Sequence, residues 1–350
     1  MNDMLFVTGL GALLLCLMCL GFKHLPGERW QMLAVIPLKK NDGDGWLGVN
    51  LTYYGFFIAT SQLIALMLLL VLLNSIHISL KGAIIATLTI LACCLPAARL
   101  VAMAVENKRH TFTIGGASFV GIILAPWAIL ATEKILGGSG AVFMPLMPML
   151  AAMSIAYTLG EGLGRLGCIS YGCCYGKPIE RSGRLMRLFF GRLNFIFHGD
   201  NKKVAYEGRL HGKELIPIQA ITCLLYTAGA LCGSWLFLKG AFVTALVLTM
   251  ALTQLWRILS ETMRADFRGL GKISAYQKMG IISVFYITFL CLFMKEAVVI
   301  APDIAGGIDF LWNPAVILGL QLLWLVFFLF FGRSTITTST VSFVLLKENI

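Results

Sequence analysis

Charge is what this sequence has least of. Its 350 residues include 17 acidic and 28 basic side chains, so only 13% of the chain is charged, about half the share of a soluble domain. With 58% hydrophobic residues, that scarcity excludes an ordinary soluble enzyme. Ten-residue segments of alternating polar and apolar character do not occur, which excludes a membrane β-barrel. No repeat recurs at a fixed period and no low-complexity tract interrupts the chain. The opening Met1–Met4 has no positive charge and no small-residue cleavage pattern follows. The first apolar run therefore reads as a helix rather than a secretory signal.

What is present is length and apolarity. A spanning helix needs about 20 mainly apolar residues, and such stretches fall at 4–22, 48–73, 82–104, 114–133, 141–160, 217–238, 241–259, 278–294 and 313–332. Backbone amides in hydrocarbon must be paired within their own segment. The expected fold is thus all-α, a polytopic membrane helix bundle of eight or nine spans. Three segments are expected: an extra N-terminal helix and polar loop over 1–46, a membrane domain over 47–296, and a further helix with a polar tail over 297–350. Within the middle segment, 177–215 mixes basic and aromatic residues. It reads as an extramembrane insertion against lipid headgroups in preference to a nucleic-acid surface.

Charges within or at the ends of spans are expensive and are candidates for function. In "LWRILSETMRADFR", Arg257 and Glu261 are four apart and share a helix face, with Arg264 one turn later. Glu261 is the expected partner of Arg257. In "GRLGCISYGCCYGKP", Gly164, Gly167, Gly172 and Gly176 surround Arg165 and are expected to form a turn inside the membrane that lines a cavity. A guanidinium there suits a phosphate. "TIGGASFVG" places Gly115 and Gly116 beside Ser118, and "TYYGF" places Tyr53 and Tyr54 at the mouth of a span. Together, two arginines, a glutamate and a tyrosine on one membrane face would make a cationic pocket for a phospholipid phosphate.

Cysteine is plentiful at ten, yet Cys16, Cys19, Cys93, Cys94, Cys223, Cys232 and Cys291 lie in apolar runs, where a thiol acts as a small hydrophobe. Only Cys168, Cys173 and Cys174 stand apart. Their C-x4-C-C spacing, with His198 and His211 the only histidines near in sequence, is not that of a structural zinc site. A metal site, a disulfide and tight packing all stay open, packing being preferred, and no metal or cofactor is expected.

These motifs resemble the prolipoprotein diacylglyceryl transferase family, integral membrane enzymes of bacteria. The matches run in order: "YYG" at Tyr54, "GGASF" from Gly115 to Phe119, "GRLG" at Arg165 continuing to Gly176, "PIQ" from Pro217 to Gln219, "RILSE" with Arg264, and Gln277. The resemblance implies transfer of a diacylglyceryl group from phosphatidylglycerol to the cysteine thiol of a lipoprotein precursor, releasing glycerol phosphate, in the bacterial cytoplasmic membrane. It assigns Arg165 and Arg257 to the phosphate, Glu261 to orienting Arg257, and a catalytic part to Tyr54. Gly115, Gly116, Ser118, Gly164, Gly167, Cys168, Cys173, Gly176, Gln219 and Arg264 then fall among substrate-binding positions.

The chain departs from the family pattern where Val120 stands for a histidine, Cys168 for an asparagine and Cys173 for a glutamate. Thiol attack needs a base, and Glu161 and His110 are the candidates to replace it. A phospholipid-binding protein that has lost the family's base is the competing expectation. The loops on the motif-bearing face carry 21 lysines and arginines against four on the other, which by the positive-inside rule makes that face cytoplasmic. The resemblance implies the outer leaflet, so the two readings place the motifs on opposite sides.

Overall fold

The computed structural model describes residues 2–40, 46–106, 114–137, 143–266, 273–294, 300–334 and 340–341. Among the described residues the chain is mainly helical, and nine helices are long and apolar enough to cross a membrane. These are α1 (Asp3–His24), α2 (Tyr53–Ser75), α3 (Leu80–Glu106), α4 (Ile114–Gly137), α5 (Leu146–Tyr171), α8 (Ile218–Leu238), α9 (Phe242–Met263), α10 (Ala275–Phe293) and α12 (Pro314–Gly332). Three shorter helices, α6 (Arg184–Phe190), α7 (Lys203–Tyr206) and α11 (Ile304–Leu311), lie between them. The helical membrane bundle expected from composition is therefore the fold.

Two stretches differ from the sequence reading. The polar loop expected over 23–46 contains strand β1 (Met32–Lys40), which pairs antiparallel with β2 (Trp46–Thr52), Val35 opposite Asn50 and Lys40 opposite Trp46. The span expected to begin at 48 consequently begins at Tyr53. β5 (Arg333–Ser334) and β6 (Thr340–Val341) add to β2 on its other edge. The insertion holds β3 (Phe195–Ile196) and β4 (Glu214–Leu215), paired to each other.

The chain forms two compact units, each assembled from separated stretches. One comprises Met1–Leu15, Ile64–Gly162 and Leu224–Ile317; the other comprises Cys16–Leu63, Leu163–Cys223 and Leu318–Ile350. In the first unit, small residues let helices approach closely. A Cβ on Gly233 of α8 would stand 2.7 Å from Thr249 Cγ2 and 3.0 Å from Ile155 Cγ1. Polar contacts complete the packing: Ser154 and Thr249 hydroxyls lie 2.8 Å apart, and Tyr226 donates to Thr253 O at 2.8 Å. Lipid tails offer no hydrophobic drive between helices, so close packing and such bonds hold them together.

α5 differs from the other spans. It is the least apolar of the nine and lies mostly buried inside the protein, whereas α1 and α12 are largely exposed. A helix shielded from lipid can carry polar groups that a lipid-facing helix cannot. Most of the candidate chemistry lies on it or beside it.

Candidate functional site

In the first unit, Arg257 of α9 is held by three side chains from two other helices. Its Nη1 donates to Ser118 Oγ on α4 at 2.6 Å, and its Nη2 donates to Tyr157 OH at 2.8 Å and to both carboxylate oxygens of Glu161 at 2.8 Å on α5. Tyr157 in turn donates to Glu161 Oε2. Arg257 and Glu161 side chains are 11% and 3% exposed. An unpaired charge at that depth would be costly, so the carboxylate balances the guanidinium and fixes its plane. Tyr157 and Glu161 are four residues apart and share one face of α5.

Glu161 is thus a carboxylate that holds Arg257; the sequence reading named Glu261. Glu261 Oε1 lies 3.8 Å from Arg264 Nη1, and Ser274 Oγ donates to Glu261 Oε2 at 3.4 Å. Arg264 also makes a two-pronged contact with Asp266, both bonds 2.8 Å. α9 ends at Met263, so this cluster closes the helix end. Gln277 explains itself nearby: it completes a capping box with Ser274 at the start of α10 and donates to Ile258 O at 3.1 Å.

The glycine pair at 115–116 starts α4 and serves close approach. A Cβ on Gly115 would lie 2.6 Å from Tyr276 Cδ1, and one on Gly116 would lie 2.6 Å from Val101 Cβ. Ser118 Oγ donates to Gly115 O at 3.1 Å while it accepts from Arg257. The motif therefore brings an acceptor hydroxyl to the arginine. Val120 continues the same helix.

In the second unit, the turn expected around Gly164, Gly167, Gly172 and Gly176 begins only at Gly172, because α5 continues as helix through Tyr171. Its glycines serve helix contact instead. A Cβ on Gly167 would stand 3.0 Å from Tyr54 O and 3.2 Å from Ile58 Cγ1, and one on Gly164 3.5 Å from Ser61 Oγ. The chain turns only at Gly172, with φ +73°, followed by Cys174 with φ 58°. Left-handed backbone favours glycine, and a cysteine there is held by its surroundings. At Gly176, any Cβ would collide with Ile216 O.

That turn folds three thiols together. The Sγ atoms of Cys168, Cys173 and Cys174 all lie within 4.8 Å of one another, and Arg165 Nη1 stands 3.8 Å from Cys174 Sγ. Gln219 of α8 donates to Cys173 O at 2.9 Å. Hydrogen bonding with Cys168 and Cys174, then burial, raises the Cys173 thiol well above its ordinary range. The ring of Tyr54 packs 5.6 Å from that of Tyr171, whose hydroxyl is 2.7 Å from Tyr206 OH.

One basic residue of the insertion is not at a lipid surface. Lys202 is fully buried, its Nζ donating to Leu25 O at 3.1 Å and Ser170 O at 2.6 Å. Burial, partly countered by Glu28, lowers its pKa to about 8. Of the two candidate bases, Glu161 is tied to Arg257, and His110 lies outside the described residues. Tyr157 was missed from the sequence. Its spacing to Glu161 on a polar helix was the available signal.

Among the described residues, nine helices long and apolar enough to cross a membrane make this a polytopic helical membrane protein, with a buried, tethered arginine in one unit and a thiol-lined turn in the other. The chain belongs to the prolipoprotein diacylglyceryl transferase family, whose family model matches residues 46–294. No curated protein and no solved structure matches the chain.

Proposed function

We propose that the protein transfers a diacylglyceryl group from phosphatidylglycerol to a thiol of a lipoprotein precursor, with release of glycerol phosphate, in a bacterial cytoplasmic membrane. The observation that carries this reading is the Arg257 arrangement, a guanidinium fixed by Ser118, Tyr157 and Glu161 within a spanning helix. Displacing a phosphate develops charge on the leaving oxygen. A cation held beforehand stabilises that charge without having to reorganise during the reaction.

Glu161, in contact with Arg257 through both oxygens, acts as a positioning residue. Family membership supports the transferase class. The test uses purified protein in phosphatidylglycerol nanodiscs with a cysteine-bearing peptide. Glycerol phosphate should appear together with a diacylglyceryl peptide, and Arg257→Ala should abolish both. Turnover unchanged in Arg257→Ala would overturn the proposal. Phospholipid that co-purifies but is not consumed would favour the non-catalytic lipid-binding alternative, which the valine at position 120 motivates.

A further inference from the structure

Thiol alkylation needs a thiolate; where the family pattern has a histidine this chain has Val120, which cannot take a proton, and the carboxylate of Glu161 is already held by an arginine. The second unit offers another route. Three sulfurs, from Cys168 at the end of α5 and from Cys173 and Cys174 in the turn that follows, stand within 4.8 Å of one another. A zinc-class ion binds thiolate at about 2.3 Å, so three sulfurs in tetrahedral coordination are about 3.8 Å apart. The thiols need to close by only about 1 Å to reach that spacing.

Two further observations support a ligand here. Arg165 Nη1 lies 3.8 Å from Cys174 Sγ. Three thiolates around a divalent ion leave one negative charge, which that guanidinium offsets. Gln219, 1% exposed, donates its amide to Cys173 O, and its Oε1 is buried with no hydrogen-bond partner among the described residues. A buried acceptor of this kind calls for a donor, such as a metal-bound water. Cys174 adopts a left-handed backbone, a conformation uncommon for residues other than glycine.

We propose that Cys168, Cys173 and Cys174 form a three-thiolate site for a soft divalent ion of the zinc class, whose fourth position takes the acceptor thiol and deprotonates it. The proposal rests on the transferase reading for its acceptor. Binding of the ion expels three protons from the cysteines, and binding of the acceptor expels one more. The metal-bound sulfur then forms the S–C bond to the glyceryl carbon as the C–O bond to phosphate breaks. The electron pair leaves with glycerol phosphate, which can take up the proton the acceptor released. No oxidant or reductant is needed. A metal-bound thiol is deprotonated outright, so the ion does the work of a base.

The experiment titrates the reduced, metal-stripped full-length protein with Cd2+ and then with Co2+. One Cd2+ per chain with sulfur-to-metal charge-transfer absorption is expected. Serine at any one of the three cysteines should weaken binding by more than the roughly 10- to 100-fold that loss of an outer-shell partner costs. Cys16→Ser, on an exposed face of α1, should bind normally. Because the cysteine variants can fail to fold, bound Cd2+ should also protect three thiols of the unmutated protein from alkylation. With Co2+ bound, a cysteine peptide should shift the visible bands and the matching alanine peptide should not.

No metal uptake, or no thiol protection, overturns the proposal. A Co2+ spectrum indifferent to the cysteine peptide removes the acceptor role. If chelated protein still releases glycerol phosphate at full rate, this inference fails and the transferase reading survives. If metal binds as described but no lipid is consumed in any condition, the ligand site stands while thiol activation and the transferase reading fall together.

Discussion

Arg257 Nη2 lies 2.8 Å from both carboxylate oxygens of Glu161, although the two residues are almost a hundred positions apart and on different helices, α9 and α5. The pair sits where water cannot compensate either charge. Its members therefore depend on each other more than any surface ion pair would.

Removing one partner should be severe. Glu161→Ala is expected to cost about 3–5 kcal/mol by stranding the guanidinium, read as thermal unfolding in lipid-containing detergent. Replacing both Glu161 and Arg257 with methionine should recover much of that loss. Glu261→Ala should be milder, since Arg264 keeps its two 2.8 Å bonds to Asp266. Equal losses in the two alanine variants would contradict the pairing described.

Ser118→Ala deletes one bond to a charged group and Tyr157→Phe deletes two, one to Arg257 and one to Glu161, each worth about 1.5–3 kcal/mol. Both leave the Arg257–Glu161 pair in place but free the guanidinium to tilt. Misplacement of about 1 Å can cost 10²-fold in rate, so phosphatidylglycerol turnover should fall by about 10- to 100-fold, with the arginine still protected inside the fold. A rate unchanged in both variants would mean that the guanidinium plane does not matter.

Gly116→Ala should destabilise by about 1–3 kcal/mol, the cost of overpacking a tight contact, because the new methyl meets Val101 at 2.6 Å. Val101→Gly, which removes the contacting Cβ together with both γ-methyls, should relieve it. The double variant unfolding above Gly116→Ala alone is the result to look for, and an unchanged transition would count against this contact.

Lys202 gives a pH dependence. Its folded pKa is about 8, against 10.5 for an ordinary lysine. Between those values the unfolded chain binds a proton that the folded chain has given up, so stability rises with pH through that window. Below about pH 8 the folded protein bears a buried ammonium, and this gain is missing. A neutral amine still has two protons for Leu25 O and Ser170 O. Lys202→Met should remove this contribution to the slope, measured as the wild-type minus variant difference in unfolding free energy from pH 7.5 to 10.5. A difference that stays flat would mean that Lys202 does not titrate there.

The spans were legible because burial in lipid is a property of composition. About twenty apolar residues in a row can satisfy their backbones only as a helix, and among the described residues nine such helices stand where nine runs were counted. Their ends were less legible. Strand pairing took residues 48–52 from the second span, and α5 ran on to Tyr171 through glycines that had read as a turn. Glycine permits both a turn and close helix contact. Gly167 was settled by the backbone of Tyr54 lying within reach of its absent Cβ.

Among the candidate site residues, the sequence by itself determined which ones are chemically expensive: Arg165, Arg257, Glu161 and Glu261, charges set in apolar surroundings. Local spacing favoured Glu261 as the partner of Arg257, because four residues make one helical turn. Only the tertiary structure decided on Glu161, and on bringing Ser118 and Tyr157 to the same guanidinium. Partner choice between helices depends on which faces meet, and that geometry is not encoded in spacing along either one. The same holds for the three thiols. Their positions in the chain were plain, but the left-handed turn at Gly172 and Cys174 is what gathers their sulfurs into one place.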